Sequence, residues 1–215
     1  GIDLNFGCPA KTVNRHDGGA SLLKTPERIF QIVSAVRAAV PANIPVTAKM
    51  RLGFDDPSIC FDNAQAAASG GAHWLTVHCR TKTDGYKPPA YWDWIPKIQD
   101  KIHIPIVANG EIWNVDDFNR CQQTTGSTMF MIGRGALCNP FLFQQIKQQS
   151  EIKLNNSTLE IWVELKKILP RFFNMNKDHV SAHFAQARSK QWLNSLSKSN
   201  PHAAAVFDEL KVITN

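Results

Sequence analysis

The chain has 215 residues, 43% of them apolar, with 24 Lys and Arg against 18 Asp and Glu. That length carries one large domain or one and a half ordinary ones, and no apolar run approaches the roughly 18 residues of a membrane-crossing helix. Cys8, Cys60, Cys79, Cys121 and Cys138 form no C-x-x-C pair and keep no regular spacing, which argues against a disulfide framework or structural zinc and for a reducing compartment.

The chain opens on Gly1 with no basic n-region, so no signal peptide is visible, and it reads as part of a longer chain. Five short strand candidates follow: Ile2–Asn5, Pro45–Met50, Trp74–His78, Pro105–Asn109 and Thr128–Ile132. Each is apolar or β-branched on balance, as a strand buried on both faces should be. Helical patterns fill the gaps. The clearest runs from Thr25 to Val40, with Thr25 as a capping residue, Pro26 at the first helical position, and Ile29, Val33, Val36 and Val40 on one face. Ala64–Ser69, Ile95–Gln99 and Val115–Gln123 occupy the others. Strand and helix alternating at this rhythm predict a parallel sheet.

Polar residues gather where these strands end: Asn5, Lys49 with Arg51, His78, Asn109, and Gly133-Arg134. A doubly wound sheet binds ligands at strand C-termini, but a (β/α)8 barrel does so around one ring, from every strand. Five consecutive strands with ligand-competent ends favour the TIM barrel. Barrel phosphate sites are commonly built by the loops after strands seven and eight. Asn109-Gly110-Glu111 and Gly133-Arg134-Gly135 are the best such loops here, so the visible strands are read as four to eight, with strands one to three preceding Gly1. Barrel residues 1–149 are followed by a polar linker, Ser150–Thr158, and a small all-helical domain, 150–215, with runs at Leu159–Phe173, Val180–Leu196 and Ala203–Val212. From Ser150 onward, nine Lys and Arg stand against six Asp and Glu.

The most informative segment is Asp3-Leu4-Asn5-Phe6-Gly7-Cys8-Pro9: a strand ends, the chain turns through Gly7, and a thiol stands before a proline of fixed φ. Cys8 is a nucleophile with His16 or His78 as base, a proton donor, or a small apolar filler. Lys49 and Arg51 share a face and call for an anionic ligand, a phosphate or a flavin, unless they are simply exposed strand-end charges. His78 is a ligand contact or a histidine satisfied by backbone. The glycines of the two loops allow backbone N–H groups close to a phosphate. His179 and His183, spaced i, i+4, lack the Glu of a zinc-protease helix and read as surface residues. Cys60, Cys121 and Cys138 read as packing residues.

Together these strings resemble the tRNA-dihydrouridine synthases. Beside the first segment, the matching stretches are Gly18-Gly19-Ala20-Ser21-Leu22-Leu23, Val46-Thr47-Ala48-Lys49-Met50-Arg51-Leu52-Gly53, Val77-His78-Cys79-Arg80-Thr81, Ala108-Asn109-Gly110-Glu111-Ile112 and Met131-Ile132-Gly133-Arg134-Gly135-Ala136. Trp113, Gly85-Tyr86 and Lys190-Gln191-Trp192-Leu193 look most like the bacterial C-type branch, which acts on uridine sixteen of the D-loop. The resemblance implies FMN across the barrel mouth, contacted by Lys49, His78, Asn109, Gly110, Glu111, Gly133 and Arg134, with NADPH as reductant. It implies hydride delivery from flavin N5 to uracil C6 and a proton from Cys8 to C5. Asn5, Arg51, Tyr86, Arg188 and Lys190 would contact the tRNA. No metal and no membrane are expected, and the protein is expected to be a cytoplasmic monomer. Arg188 and Lys190, two apart on a helix, lie roughly 200° around it and cannot readily share one phosphate. The family usually has Gly where Cys79 stands, which would put a larger residue close to the flavin. Two other readings compete: an FMN barrel dehydrogenase acting on a free pyrimidine, and a non-catalytic RNA-binding module.

Overall fold

The computed structural model describes residues 1–148 and 157–213. The expected linker falls largely outside the described residues; Ser157 and Thr158 within it open a helix. Two compact units are present, one of residues 1–112 with 116–132, the other of residues 113–115 with 133–215.

The first unit is built on a five-stranded sheet: β1 (Ile2–Asn5), β2 (Val46–Arg51), β3 (Leu75–His78), β4 (Ile106–Asn109) and β5 (Met129–Met131). Every neighbouring pair is parallel and the spatial order is the chain order, β1 to β5. All five predicted strands are present, within a residue or two at each end. The expectation that all are buried on both faces holds for β3 and β4 and nearly for β2, but β1 is mostly exposed and β5 partly so. Those two are the outer strands, with a neighbour on one side only.

Helices join the strands: α1 (Lys11–Asn14), α2 (Pro26–Ala39), α3 (Cys60–Ser69), α4 (Trp94–Gln99) and α5 (Val115–Thr125). In α2, Pro26 starts the helix as expected, but the Thr25 side chain makes no capping bond. Ile29 and Val33 are buried on its core face, while Val36 and Val40 are half-buried. Residue alternation then decides what each strand presents where. Ala48, Met50 and Leu52, Leu75, Val77 and Cys79, and Ile106 and Ala108 enter one core with residues of α2 to α5. The alternate residues, Asp3 and Asn5, Lys49 and Arg51, His78, and Asn109, face the other way.

The second unit is helical: α6 (Arg134–Cys138), α7 (Leu142–Gln148), α8 (Thr158–His179), α9 (Ala182–Leu196) and α10 (Pro201–Leu210). Trp162 and Leu165, Leu193 and Leu196, and Ala203 form its core. Each long helix has a start signal: a Ser157–Glu160 capping box for α8, Ser181 for α9, and Asn200 ahead of Pro201 for α10. α8 runs past the predicted Phe173 to His179, with Pro170 inside it. His179 and His183 are both exposed and sit on different helices, so their i, i+4 spacing does not form one helical face. Among the described residues no helix is long and apolar enough to cross a membrane.

Candidate active site

Register brings the strand-end residues of the first unit into rows. Asn5 lies opposite Lys49, Arg51 opposite His78, and His78 opposite Asn109. The rows end at one edge of the sheet, where the loops after β1 to β4 emerge.

The loop after β1 is held closely. The Phe6 N–H donates to the Lys49 carbonyl at 2.8 Å, and the Gly7 N–H to Asn5 Oδ1 at 2.9 Å. The Asn5 carboxamide oxygen is therefore engaged in the turn, and the amide N–H donors lie opposite it on the same side chain. The Cys8 carbonyl accepts from the Ala20 N–H at 3.0 Å and from Asn14 Nδ2 at 2.8 Å. Cys8 itself is half-buried. His16, one of the two bases considered for it, is exposed beyond α1. Gly19 closes the arrangement with φ of +58°, and a Cβ there would lie 2.8 Å from the Cys8 carbonyl oxygen and 2.9 Å from its Cβ. Gly19→Ala combines left-handed strain of about 1–2 kcal/mol with that clash. It is expected to destabilise the protein by about 2 kcal/mol, read by thermal unfolding, and to slow any chemistry that uses Cys8. An unchanged melting temperature would contradict this.

Lys49 feels its surroundings strongly. Burial first, then the neighbouring Arg51 cation, pulls the ammonium below its ordinary value, while Asp3 and Cys8 hold it up. A group depressed in the folded state costs stability at all pH values below its folded pKa, a cost relieved only as the pH rises toward its unfolded value. An anionic ligand would offset that cost at neutral pH.

Arg51 is 2% exposed, yet an external anion is not needed to balance its burial. Its Nε donates to the Gly7 carbonyl at 3.1 Å, and its Nη1 to the Thr81 and Gly85 carbonyls at 2.8 and 2.9 Å. The guanidinium also lies over the Tyr86 ring, 5.1 Å from its centre. One side chain thus ties the Cys8 loop to the loop after β3. His78 is buried and meets Tyr86 edge-on at 6.0 Å.

The turn after β4 is fixed by residues that sequence reasoning passed over. Trp92 Nε1 donates to the Gly110 carbonyl at 2.9 Å. Arg80, fully buried, donates from Nε to the Pro89 carbonyl at 3.0 Å and pairs through Nη2 with Glu111. Gly110 and Glu111 both have positive φ, +120° and +59°. A Cβ at Gly110 would come within 3.7 Å of His78 Nε2. Asn109 Nδ2 donates to the Met131 carbonyl at 2.7 Å, which leaves its amide oxygen as the acceptor. Arg80 stands inside one of the quoted strings, but only the fold reveals that its side chain reaches a glutamate 31 residues on.

Cys79 does not lie beside His78. Alternation turns it to the helix side of the sheet, where it is fully buried and donates weakly to the Val77 carbonyl at 3.7 Å. Burial pushes its thiol far up, and pushes Cys60 and Cys121 up to about 12. All three are packing thiols, as is Cys138, 6% exposed.

The remaining predicted residues belong to the helical unit. Gly133 precedes α6, and Arg134 lies over the Trp113 ring, 4.7 Å from its centre. The Gly133-Arg134-Gly135 segment is therefore the start of a short helix, not an open loop. Arg188 pairs with Gln191 on α9, whereas Lys190 reaches the Ile213 carbonyl. The two cations point to different surroundings, as their spacing predicts.

A parallel α/β sheet whose strand ends and following loop carry a half-buried lysine, a histidine, an asparagine and a thiol defines a site of the kind that α/β enzymes build at strand C-termini. The family model for dihydrouridine synthase (Dus) matches residues 1–211. The chain belongs to that family. Among its relatives, the tRNA-dihydrouridine(16) synthase of Pseudomonas putida is 49% identical over 210 residues, 98% of this chain and 64% of that protein. The enzymes of the same name from Ralstonia nicotianae and Pseudomonas syringae pv. tomato are 48% and 50% identical, again over 98% of the chain and over 64% and 66% of their own lengths. The chain thus spans about two thirds of these relatives.

Proposed function

We propose that the protein reduces a uracil in transfer RNA to 5,6-dihydrouridine, at uridine sixteen of the D-loop, with FMN as cofactor and NADPH as reductant. The carrying observation is the convergence of Cys8, Lys49, His78 and Asn109 on one edge of one sheet. The printed names of the relatives supply the substrate and the position.

The five strands are proposed as strands four to eight of a (β/α)8 barrel, with residues 1–149 assigned to it and 150–215 to a tRNA-binding helical domain. Strand order supports the barrel: a doubly wound sheet reverses direction at a switch point, and the order β1 to β5 contains no reversal.

The residues fit a flavin. Lys49 is a half-buried cation held below its ordinary value, a suitable partner for an electron-rich ring or an anion. The positive φ of Gly110 favours glycine in the turn beside His78, and Asn109 keeps an acceptor oxygen. Lys49, His78, Asn109, Gly110, Glu111, Gly133 and Arg134 would hold the cofactor; Glu111 would act largely through its backbone, since its carboxylate engages Arg80. A bound, reduced flavin supplies the hydride for uracil C6. Cys8 supplies the proton at C5. Asn5 orients the base with its amide N–H donors, and Arg51 and Tyr86 shape the mouth through which the unstacked base enters. Arg188 and Lys190 meet the RNA backbone. The protein works as a cytoplasmic monomer and uses no metal.

The test is a direct assay. Full-length protein with NADPH and an unmodified tRNA transcript is expected to form dihydrouridine at position sixteen, and to oxidise NADPH far more slowly with free uracil. Equal rates on the two substrates would replace this reading with a free-pyrimidine dehydrogenase.

A further inference from the structure

The helical unit contains a cavity of about 350 Å3 that the reduction chemistry leaves unused. One face of α9 lines it with Arg188, Gln191, Trp192 and Ser195, spaced i, i+3, i+4 and i+7; Phe172 of α8 and Leu137 of α6 stand across from them. We propose that this cavity takes one unstacked keto nucleobase, uracil or guanine, of the RNA, apart from the base that is reduced. The proposal rests on the tRNA reading given above.

The volume lies at the small end of the roughly 300–1,000 Å3 range of ligand pockets, suited to one flat ring. The walls supply what single-stranded RNA recognition uses: aromatic faces, a guanidinium and an amide. Phe172 and Trp192 meet at 4.8 Å with their planes tilted by 59°, forming an aromatic corner. The Trp192 indole N–H is already committed to the Leu137 carbonyl at 3.2 Å, which fixes the ring and leaves its face as the surface a ligand can use. The Gln191 carboxamide oxygen accepts from Arg188, so the two side chains together offer the cavity mainly N–H donors. Donors beside an aromatic wall match ring carbonyls, and the Arg188 charge matches the adjoining phosphate. The unit around the cavity is basic: from Ser150 onward, nine Lys and Arg stand against six Asp and Glu. An apolar side chain from a protein partner would cover the aromatic corner but give those donors no acceptor.

Stacking and charge separate experimentally. Loss of a phosphate contact lowers the slope of log affinity against log salt by about 0.9, whereas loss of stacking lowers affinity and leaves the slope alone. Binding of an unmodified tRNA transcript to the full-length protein is measured across a salt series for Trp192→Leu, Trp192→Phe and Gln191→Ala. Trp192→Leu, which keeps apolar bulk and removes the large π face, is expected to weaken binding about tenfold with the slope unchanged. Trp192→Phe should recover most of the loss, and Gln191→Ala should cost severalfold. Transcript carrying 5-iodouridine should cross-link under light to Trp192 or Phe172. Because Trp192 also packs against the helical core, a misfolded Trp192→Leu leaves the exposed Gln191→Ala and the cross-link to decide. Wild-type protein that binds no tRNA sinks the parent reading together with this one. Wild-type protein that binds tRNA, with variants indistinguishable from it or no cross-link to α8 or α9, sinks the cavity proposal alone.

Discussion

Cys8→Ala is expected to abolish measurable dihydrouridine formation while leaving tRNA affinity within about twofold. A positioned proton donor contributes roughly 10²–10⁴ in rate, and nothing else on the loop replaces it. The backbone of Cys8 is pinned by Ala20 and Asn14, and Gly19 packs against its Cβ, so the loop should survive loss of the sulfur. Cys8→Ser should recover little, because a hydroxyl is a far weaker acid than a thiol. The same assay separates the two roles first open to this thiol. A proton donor leaves no covalent adduct between protein and substrate. A nucleophile would leave one detectable by mass spectrometry when turnover is stopped. A Cys8→Ala protein that forms dihydrouridine at a near-normal rate would remove the thiol from the reaction.

The sheet was legible because its signal is local. Short apolar runs separated by helical periodicity need no knowledge of distant residues, and all five strands fell where that pattern put them. The strand-end polar residues were legible for the same reason, since parallel strands deliver their C-termini to one edge. The contacts that organise the edge were not. Arg51 looked like a cation in want of an anion because its three carbonyl partners lie 30 to 44 residues away in sequence. Arg80 drew no role because its pairing with Glu111 depends on two loops folding toward each other. Cys79 was expected close to the flavin because the family usually has Gly there, whereas the chain leaving β3 turns its side chain into the helix-side core, away from the face of His78. α6 and the full length of α8 escaped for a different reason: Gly133 and Gly135 suggested a loop, and the amphipathic run that crosses Pro170 was read only to Phe173, whereas the helix continues to His179.

Arg51→Met should reveal a structural duty in a residue that the family resemblance assigns to RNA. The substitution preserves much of the apolar stem and removes three donated hydrogen bonds, leaving the Gly7, Thr81 and Gly85 carbonyls near the protein interior with fewer donors. Hydrogen bonds from a charged donor contribute about 1.5–3 kcal/mol each, though their losses do not add fully. The expected destabilisation is on the order of 3 kcal/mol, visible as a lowered midpoint in urea. Removal of the cation also relieves Lys49, whose ammonium is held down in part by Arg51. In this variant the Lys49 titration should move up toward its ordinary value. Activity should fall with stability, since the Gly7 carbonyl adjoins the Cys8 thiol and Gly85 adjoins Tyr86. The discriminating measurement is tRNA affinity at a temperature where the variant is fully folded. A side chain 2% exposed and tied to three loop carbonyls should change the salt dependence of binding little. A drop in slope of about 0.9 with an unchanged unfolding midpoint would mean that Arg51 meets a phosphate directly, and that the three-loop tie is incidental.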